Sequence, residues 1–288
     1  KTHSQMTIII GRRRIGKTRL IIKSLEECKF LYFFVTKKSE QLLCEEYINQ
    51  IKETLKIPIF GTINRFKEIF ALIMEASKKQ PVTLVIDEFQ EFQSINQAIY
   101  SEIQDVWDRN KYDAQLNLIL CGSIFSLMKK IFEKSKEPLF GRITEKIHVQ
   151  AFNIEVLKEI FYDRSTRLKK YDFLAFYSIT GGVAKYVEHL VDKEKLSFQD
   201  MVDEIFRPNS LFLEEGKNQL IEEFGKDYTT YFSILSLIAS GKTSRQAIES
   251  VLEKDVGGYL ERLENEYGII TKIRPVLAKP DSRSIKFQ

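Results

Sequence analysis

The sequence predicts an α/β fold: a five-stranded parallel sheet covered by helices over residues 1–150, an all-helical region over 151–216 and a winged-helix domain over 217–288. Three observations carry this expectation. The first half alternates short apolar, β-rich runs with longer helical patterns, the order of a parallel sheet with helical crossovers. From about Ala151 the strand signal stops and apolar residues recur every three or four positions, as in Ile154, Leu157, Ile160 and Phe161. The last stretch places three short helical patterns before an extended segment, the arrangement of a winged helix.

The strands are expected at Thr7 to Ile10, Phe30 to Thr36, Val82 to Asp87, Leu116 to Cys121 and Lys146 to Val149. Each is nearly uniformly apolar, as suits strands buried on both faces. Helices are expected between them at Lys17 to Glu27, Ser39 to Leu55, Thr62 to Ser77, Ile95 to Arg109 and Ser123 to Glu133. Phe173, Leu174, Phe176 and Tyr177 continue the helical spacing of the all-helical region, and Arg207-Pro208-Asn209-Ser210 forms a turn. Helices follow at Thr229 to Ser240, Ser244 to Val251 and Asp255 to Glu266, broken at Gly241-Lys242-Thr243, and then extended chain from Gly268 to Ala278. The first strand starts six residues in and the last segment stops while extended, so both ends are expected to be truncated.

With 43% hydrophobic and 29% charged residues among 288, and only 13 Gly and 6 Pro, the chain is neither disordered nor fibrous, and it has the length of two or three domains. No apolar run nears the ~20 residues of a membrane span, and the start lacks a signal-peptide pattern. Cys28, Cys44 and Cys121 form no CxxC, and His3, His148 and His189 are too scattered to complete a zinc site, which suits a cytoplasmic location better than a disulfide framework. A net charge of +4 decides nothing about nucleic acid.

Gly11-Arg12-Arg13-Arg14-Ile15-Gly16-Lys17-Thr18 matches GxxxxGK[ST], directly after a strand and opening a helix. Gly11 and Gly16 permit the tight turn that points successive amides at phosphate oxygens, and the helix N-terminus adds its positive dipole. Lys17 is expected at the β- and γ-phosphates, Thr18 on magnesium and Arg19 near the α-phosphate. Arg12, Arg13 and Arg14 are open to the nucleotide, to a neighbouring domain or to neither.

Leu84-Val85-Ile86-Asp87-Glu88 ends an apolar strand in two carboxylates, a Walker B pattern. Asp87 is expected to hold magnesium through water at the sheet edge that carries the phosphate loop. Glu88 is placed to polarise the attacking water, which makes the site a hydrolase; Glu91 ranks below it. Ser123, after Leu116 to Cys121, is expected either to sense the γ-phosphate or to cap the next helix. Arg142 follows a Gly turn, where an arginine finger or a plain surface arginine fits equally. Asn110-Lys111-Tyr112-Asp113 spells NKxD but precedes its strand, so adenine is expected over guanine, and no LSGGQ-like string is present. Gly181-Gly182 lets a loop approach something closely, with Lys185 and Tyr186 near a nucleotide edge, although a helix-to-helix turn accounts for the glycines as well.

Taken with Ile86-Asp87-Glu88-Phe89-Gln90, Cys121-Gly122-Ser123, Pro138-Leu139-Phe140-Gly141-Arg142 and Thr180-Gly181-Gly182-Val183-Ala184-Lys185-Tyr186, the phosphate loop resembles the archaeal-type P-loop ATPases of the STAND group of AAA-like ATPases. The resemblance covers essentially the whole chain. It implies a P-loop NTPase core of five parallel strands, ATP or ADP with Mg2+ as cofactors, a lid bearing the Gly-Gly motif, and a winged helix behind it. In most relatives a proline lying against the adenine follows the Gly-Gly pair; Ala184 stands at the matching position.

From Thr271 onward Lys272, Arg274, Lys279, Arg283 and Lys286 face one acid, Asp281, so DNA is a candidate partner through 242–286, with Lys242, Tyr259 and Arg262 to test. The preceding helix is acidic where a recognition helix is expected to be basic, which favours an internal clamp or a protein client. Two functions compete: a magnesium-dependent ATPase whose nucleotide state repacks lid and winged helix against the sheet, and a nucleotide-stabilised DNA-binding regulator. A P-loop kinase is a weaker third, disfavoured by Glu88. Oligomeric state is left open.

Overall fold

The computed structural model describes residues 3–164, 169–210, 212, 221, 224–273 and 286–288. The chain divides into two compact units, Lys1–Glu204 and Ile205–Gln288. The expected boundary at 216 lies outside the described residues.

In the first unit, β1 (Gln5–Ile10), β2 (Leu31–Phe34), β3 (Val82–Asp87), β4 (Leu116–Cys121) and β5 (Glu145–His148) form one sheet in the order β2-β3-β4-β1-β5, with every pairing parallel. The register pairs Ile9 with Cys121 and Ile86 with Leu120, so the carboxyl ends of β1, β3 and β4 meet at one edge of the sheet. Alternation along β1 explains its burial on both faces: Ile8 and Ile10 enter the larger apolar layer, and Ile9 joins Ile21, Val85 and Ile119 in the other. Each such buried side chain contributes about 1.5–3 kcal/mol. Strand β5 departs from this pattern, since all four of its residues are exposed; among the described residues it is an edge strand with one neighbour.

The crossovers are α1 (Lys17–Ser24), α2 (Glu40–Leu55), α3 (Phe66–Lys79), the short α4 (Phe92–Ile95), α5 (Ile99–Asn110) and α6 (Phe125–Glu133). Several begin or end inside their expected ranges for local reasons. Helix α1 stops at Ser24, where Leu25 N–H turns to both Ile21 and Ile22 carbonyls. Helix α3 starts four residues late, at Phe66, whose N–H donates to Glu40 Oε1 at 2.8 Å, an acceptor from another helix. Asn96 is extended, and its side chain accepts from Ala98 N–H, so α4 and α5 are separate.

Helices α7 (Ile154–Arg164), α8 (Lys170–Thr180), α9 (Ala184–Asp192) and α10 (Phe198–Phe206) follow, without a described strand among them. Phe161 packs its ring on Phe173 and Phe176, joining α7 to α8. The second unit contains α11 (Tyr228–Ala239), α12 (Arg245–Leu252), α13 (Gly257–Asn265) and an antiparallel pair, β6 (Lys272–Ile273) and β7 (Lys286–Phe287). Its core holds Phe224, Tyr231, Ile234, Ile248, Leu260 and Phe287, with Phe224 stacked on Tyr231 at 4.2 Å. Arg274, Lys279, Asp281 and Arg283 lie outside the described residues.

Candidate nucleotide site

The carboxyl-edge loops of β1, β3 and β4 and helix α9 surround a cavity of about 680 Å³. The phosphate loop supplies Arg13 through Arg19 to its wall, Asp87 and Glu88 come from the end of β3, Ser123 follows β4, and Ala184, Lys185 and Glu188 come from α9. Leu20, Val149, Phe152, Ile160, Val187 and Val191 add an apolar side.

The loop is shaped by close approach. A Cβ on Gly11 would stand 2.6 Å from the Val149 carbonyl oxygen, so only glycine fits where β1 leaves the sheet beside β5. Gly16 has φ 94 and opens α1 with no side-chain cap and no acid in the first turn. The helix N-terminus therefore presents unsatisfied amides to the cavity, the arrangement that receives anions.

Lys17 is 7% exposed, and its Nζ donates to the carbonyls of Gly11 and Arg12 at 2.8 and 3.0 Å. Burial holds its ammonium below the ordinary lysine value, while Cys121, Glu88 and Asp87 oppose that shift. Thr18 Oγ1 donates to Asp87 Oδ2 at 2.7 Å, as does the Tyr32 hydroxyl from β2. Burial first, and then this bond to Asp87, push the Tyr32 phenol well above its usual range, so it remains a donor. Ser123 Oγ donates to Glu88 Oε2 at 2.7 Å. It does not cap α6, whose N-cap is Ile124. Glu88 itself is left-handed, φ 56, a conformation that lets the chain turn immediately after Asp87.

This donor set fits a magnesium nucleotide. A hydroxyl and a carboxylate oxygen already 2.7 Å apart are hard ligands of the kind magnesium takes, and a buried lysine beside an uncapped helix start suits phosphate.

Some expected residues stand elsewhere. Arg12 lines no part of the cavity wall, although its carbonyl accepts from Lys17. Arg19 faces the cavity but pairs with Glu188 of α9 at 2.7 Å. Lys185 Nζ binds the same Glu188 at 2.9 Å, and Lys185 N–H donates to the Arg14 carbonyl at 3.1 Å, tying α9 to the loop. Gly182 does not reach the cavity; its carbonyl accepts from Phe152 N–H at 2.8 Å, and a Cβ there would meet the Phe152 oxygen at 2.3 Å. The close approach expected of this glycine is to backbone. Arg142 is likewise remote from its own chain's cavity. It precedes the amino end of β5, the opposite edge of the sheet, and its Nε and Nη2 bond Asp108 at 3.0 and 2.7 Å. An arginine finger acting within one chain is therefore corrected. Asn110 to Asp113 sit at that same edge, where the Lys111 carbonyl accepts from Ser4 N–H, just before β1.

In the second unit Lys242 and Arg262 are exposed. Tyr259 is half-buried, with its ring against Tyr231 and its hydroxyl bonded by Lys254 at 3.0 Å. Tyr32 on Asp87 and Gln90 on Glu88 are partners to which no sequence motif assigns a role. A tyrosine within the apolar run of β2, opposite the Walker B strand, was the available signal for the first.

No described helix is long and apolar enough to cross a membrane. Residues 1–190 match the model of an ATPase domain found predominantly in Archaea. The uncharacterized protein MJECL04 of Methanocaldococcus jannaschii is 27% identical over 262 residues, 90% of this chain and 56% of that protein. A second from the same organism, MJ0424, is 32% identical over 56 residues, 19% of this chain and 54% of that protein. The chain thus spans about half the length of the first relative it matches. Among solved structures, the Walker-type ATPase paby2304 of Pyrococcus abyssi is similar with TM-score 0.71 at 18% identity, over 98% of this chain and 87% of that one. The ORC2 protein of Aeropyrum pernix, solved in ADPNP-ADP complexes, gives TM-score 0.57 at 16% identity over 99% and 83%. These likenesses concern the fold, an α/β P-loop NTPase core with a five-stranded parallel sheet. With two thirds of its length matched by that model, the chain belongs to the family of ATPase domains found predominantly in Archaea.

Proposed function

We propose that this chain is a magnesium-dependent ATPase in which Glu88 is the general base and the nucleotide state is passed to the helical segment that follows the sheet. One observation carries the catalytic part: around a single cavity, Thr18 is bonded to Asp87 and Ser123 to Glu88, with Lys17 buried among them.

Each residue has a task that follows from its chemistry. The amides opening α1 and the Lys17 ammonium, released from the Gly11 and Arg12 carbonyls, take the phosphate oxygens. Thr18 and Asp87 would hold magnesium, which when bound would supply positive charge against that of the phosphates. Glu88 accepts a proton from the attacking water as the new P–O bond forms and the bond to the β-phosphate oxygen breaks, giving ADP and phosphate. Ser123 orients Glu88, and its hydrogen bond to that carboxylate supports the role of γ-phosphate sensor. The apolar side formed by Leu20, Phe152, Ile160 and Val187 offers a dry surface for the base.

Coupling is supported by two contacts of α9, Arg19 of α1 with Glu188 and Lys185 N–H with the Arg14 carbonyl of the loop. A loop that tightens on phosphate pulls on both. We read residues 217–288 as a winged-helix domain that acts as a clamp or meets a client; three helices followed by an antiparallel strand pair support that reading.

The test is ATP turnover with and without Mg2+, together with analogue affinity, in the wild type and in Glu88→Gln. The variant should retain analogue affinity and lose hydrolysis by about 100-fold or more. Hydrolysis by the variant at the wild-type rate would remove Glu88 from the role of base.

A further inference from the structure

Gln90 is a polar side chain with only 2% of its surface exposed. The chain reaches it through the left-handed turn at Glu88 and a 3-10 turn over Phe89–Glu91. Its backbone is pinned from α5, where the Tyr100 hydroxyl lies 3.2 Å from the carbonyls of both Phe89 and Gln90. From that anchor its Nε2 donates to Glu88 Oε2 at 2.5 Å. The orientation of the amide is forced, because only its nitrogen can face a carboxylate.

Two further facts define the arrangement. Oε2 of Glu88 also accepts from Ser123, so two donors converge on one oxygen, while Oε1 accepts no hydrogen bond from any described residue. The other end of the amide, Gln90 Oε1, is buried with no donor among the described residues, against Gly122, where an added Cβ would stand 2.3 Å away. An apolar side chain of the same length would fill this space without stranding an oxygen, so packing alone does not call for glutamine here.

We propose that Gln90 is a positioning residue for hydrolysis: with Ser123 it fixes one oxygen of Glu88, leaving the other as the atom offered to the attacking water. The inference rests on the reading of Glu88 as general base. Gly122 belongs to the same device, since it leaves room for the amide to reach Glu88 and places Ser123 beside it. The arrangement joins two short sequence segments, Glu88-Phe89-Gln90 and Cys121-Gly122-Ser123, into one holder for a carboxylate.

The test compares the full chain with Gln90→Met, which keeps length and volume but removes the donor, and with Gln90→Ala, each alone and combined with Glu88→Gln. Steady-state and single-turnover ATP hydrolysis, affinity for a non-hydrolysed ATP analogue, and thermal midpoint are measured. Expected for Gln90→Met is a kcat about 10- to 100-fold lower, analogue affinity within about twofold, and a midpoint no lower than wild type. A structural role predicts the reverse pattern, lower stability together with weaker binding. In the Glu88→Gln background, Gln90→Met should change the remaining rate by less than about twofold. The proposal is overturned if Gln90→Met turns over normally while Glu88→Gln is inactive, if its loss persists undiminished without Glu88, or if both Gln90 variants lose analogue affinity and thermal midpoint in step with rate. Normal turnover by Glu88→Gln would instead remove the base itself, a failure visible without any Gln90 variant.

Discussion

Thr18 and Asp87, 69 residues apart in sequence, are joined by a hydrogen bond of 2.7 Å between hydroxyl and carboxylate, and the Tyr32 hydroxyl donates to the same Asp87 oxygen. With Thr18 engaged by magnesium, as proposed, the Tyr32 hydroxyl would still donate to Asp87 and help to keep it aimed. Tyr32→Phe should raise the magnesium concentration that half-saturates nucleotide binding by about three- to tenfold and lower stability by about 1 kcal/mol. A magnesium titration of analogue binding, read by fluorescence or calorimetry, checks this without relying on turnover. An unchanged titration would show that Asp87 needs no help from β2.

With Lys17 at the phosphates, as proposed, ATP affinity is expected to be sensitive to alkaline pH. Its pKa is lowered in the free protein by burial, and bound phosphate raises it again by supplying opposite charge. Binding therefore takes up a proton in the interval between the two values, and affinity falls as pH rises through the lowered one, starting below 10.5. For the free chain the sign is opposite: the unfolded state holds this proton more tightly, so Lys17's contribution to stability increases with pH between the lowered value and 10.5. Analogue affinity measured from pH 7 to 10 should decline in the wild type, and Lys17→Met should bind weakly with no such decline.

Gly181 and Gly182 are neighbours with different constraints. Gly181 has φ 52 and open space where a Cβ would point, whereas Gly182 has φ 73 and the Phe152 oxygen at 2.3 Å. Gly181→Ala should cost about 1 kcal/mol through the backbone alone, and Gly182→Ala about 3 kcal/mol or more, because a backbone carbonyl must also move. Urea denaturation of the two variants decides it; equal costs would mean that the α8–α9 turn gives way freely.

Arg142 is expected to matter for stability before it matters for chemistry. It forms a two-nitrogen pair with Asp108 at the edge opposite the cavity, and the Asp108 carboxyl is held below its usual range, burial opposing and Arg142 and Lys111 favouring the charged form. Both side chains are partly exposed, so solvent screening limits the pair to about 1 kcal/mol or less. That contribution is present above the ordinary aspartate value and is lost as pH falls through the depressed one. Arg142→Ala should lower the thermal midpoint slightly and leave the hydrolysis rate of dilute protein unchanged. A large rate loss that depends on protein concentration would instead place this arginine at a neighbouring copy's nucleotide.

Much of the core was legible because its signals are local. The phosphate loop had to follow a strand and open a helix, and Gly11, Gly16 and Lys17 lie where that pattern puts them. Strands β3 and β4 run over the residues read from their apolar runs, since burial on both faces leaves little freedom of composition. Edges were less legible. Strand β5 carries Glu145, Lys146 and His148, all exposed, because an edge strand has a free side that composition does not announce. Helix α3 begins at Phe66 because Glu40 reaches its first N–H from another helix, a partner that no window on the sequence contains.

The site divides along the same line. By itself the sequence picked out the groups that the structure brings to one cavity, namely Lys17, Thr18, Asp87, Glu88 and Ser123, because motif spacing follows chain direction and places each at a strand's carboxyl end. Only the tertiary structure decided what holds them. It put Tyr32 on Asp87 and Gln90 with Ser123 on Glu88, it pressed Gly182 onto the Phe152 backbone, and it turned Arg142 to Asp108 at the far edge. The physical reason is reach. A motif is written within a few residues of one segment, whereas a buried carboxylate takes its donors from whichever strands the sheet order sets beside it, and that order, β2-β3-β4-β1-β5, is a property of the packed sheet.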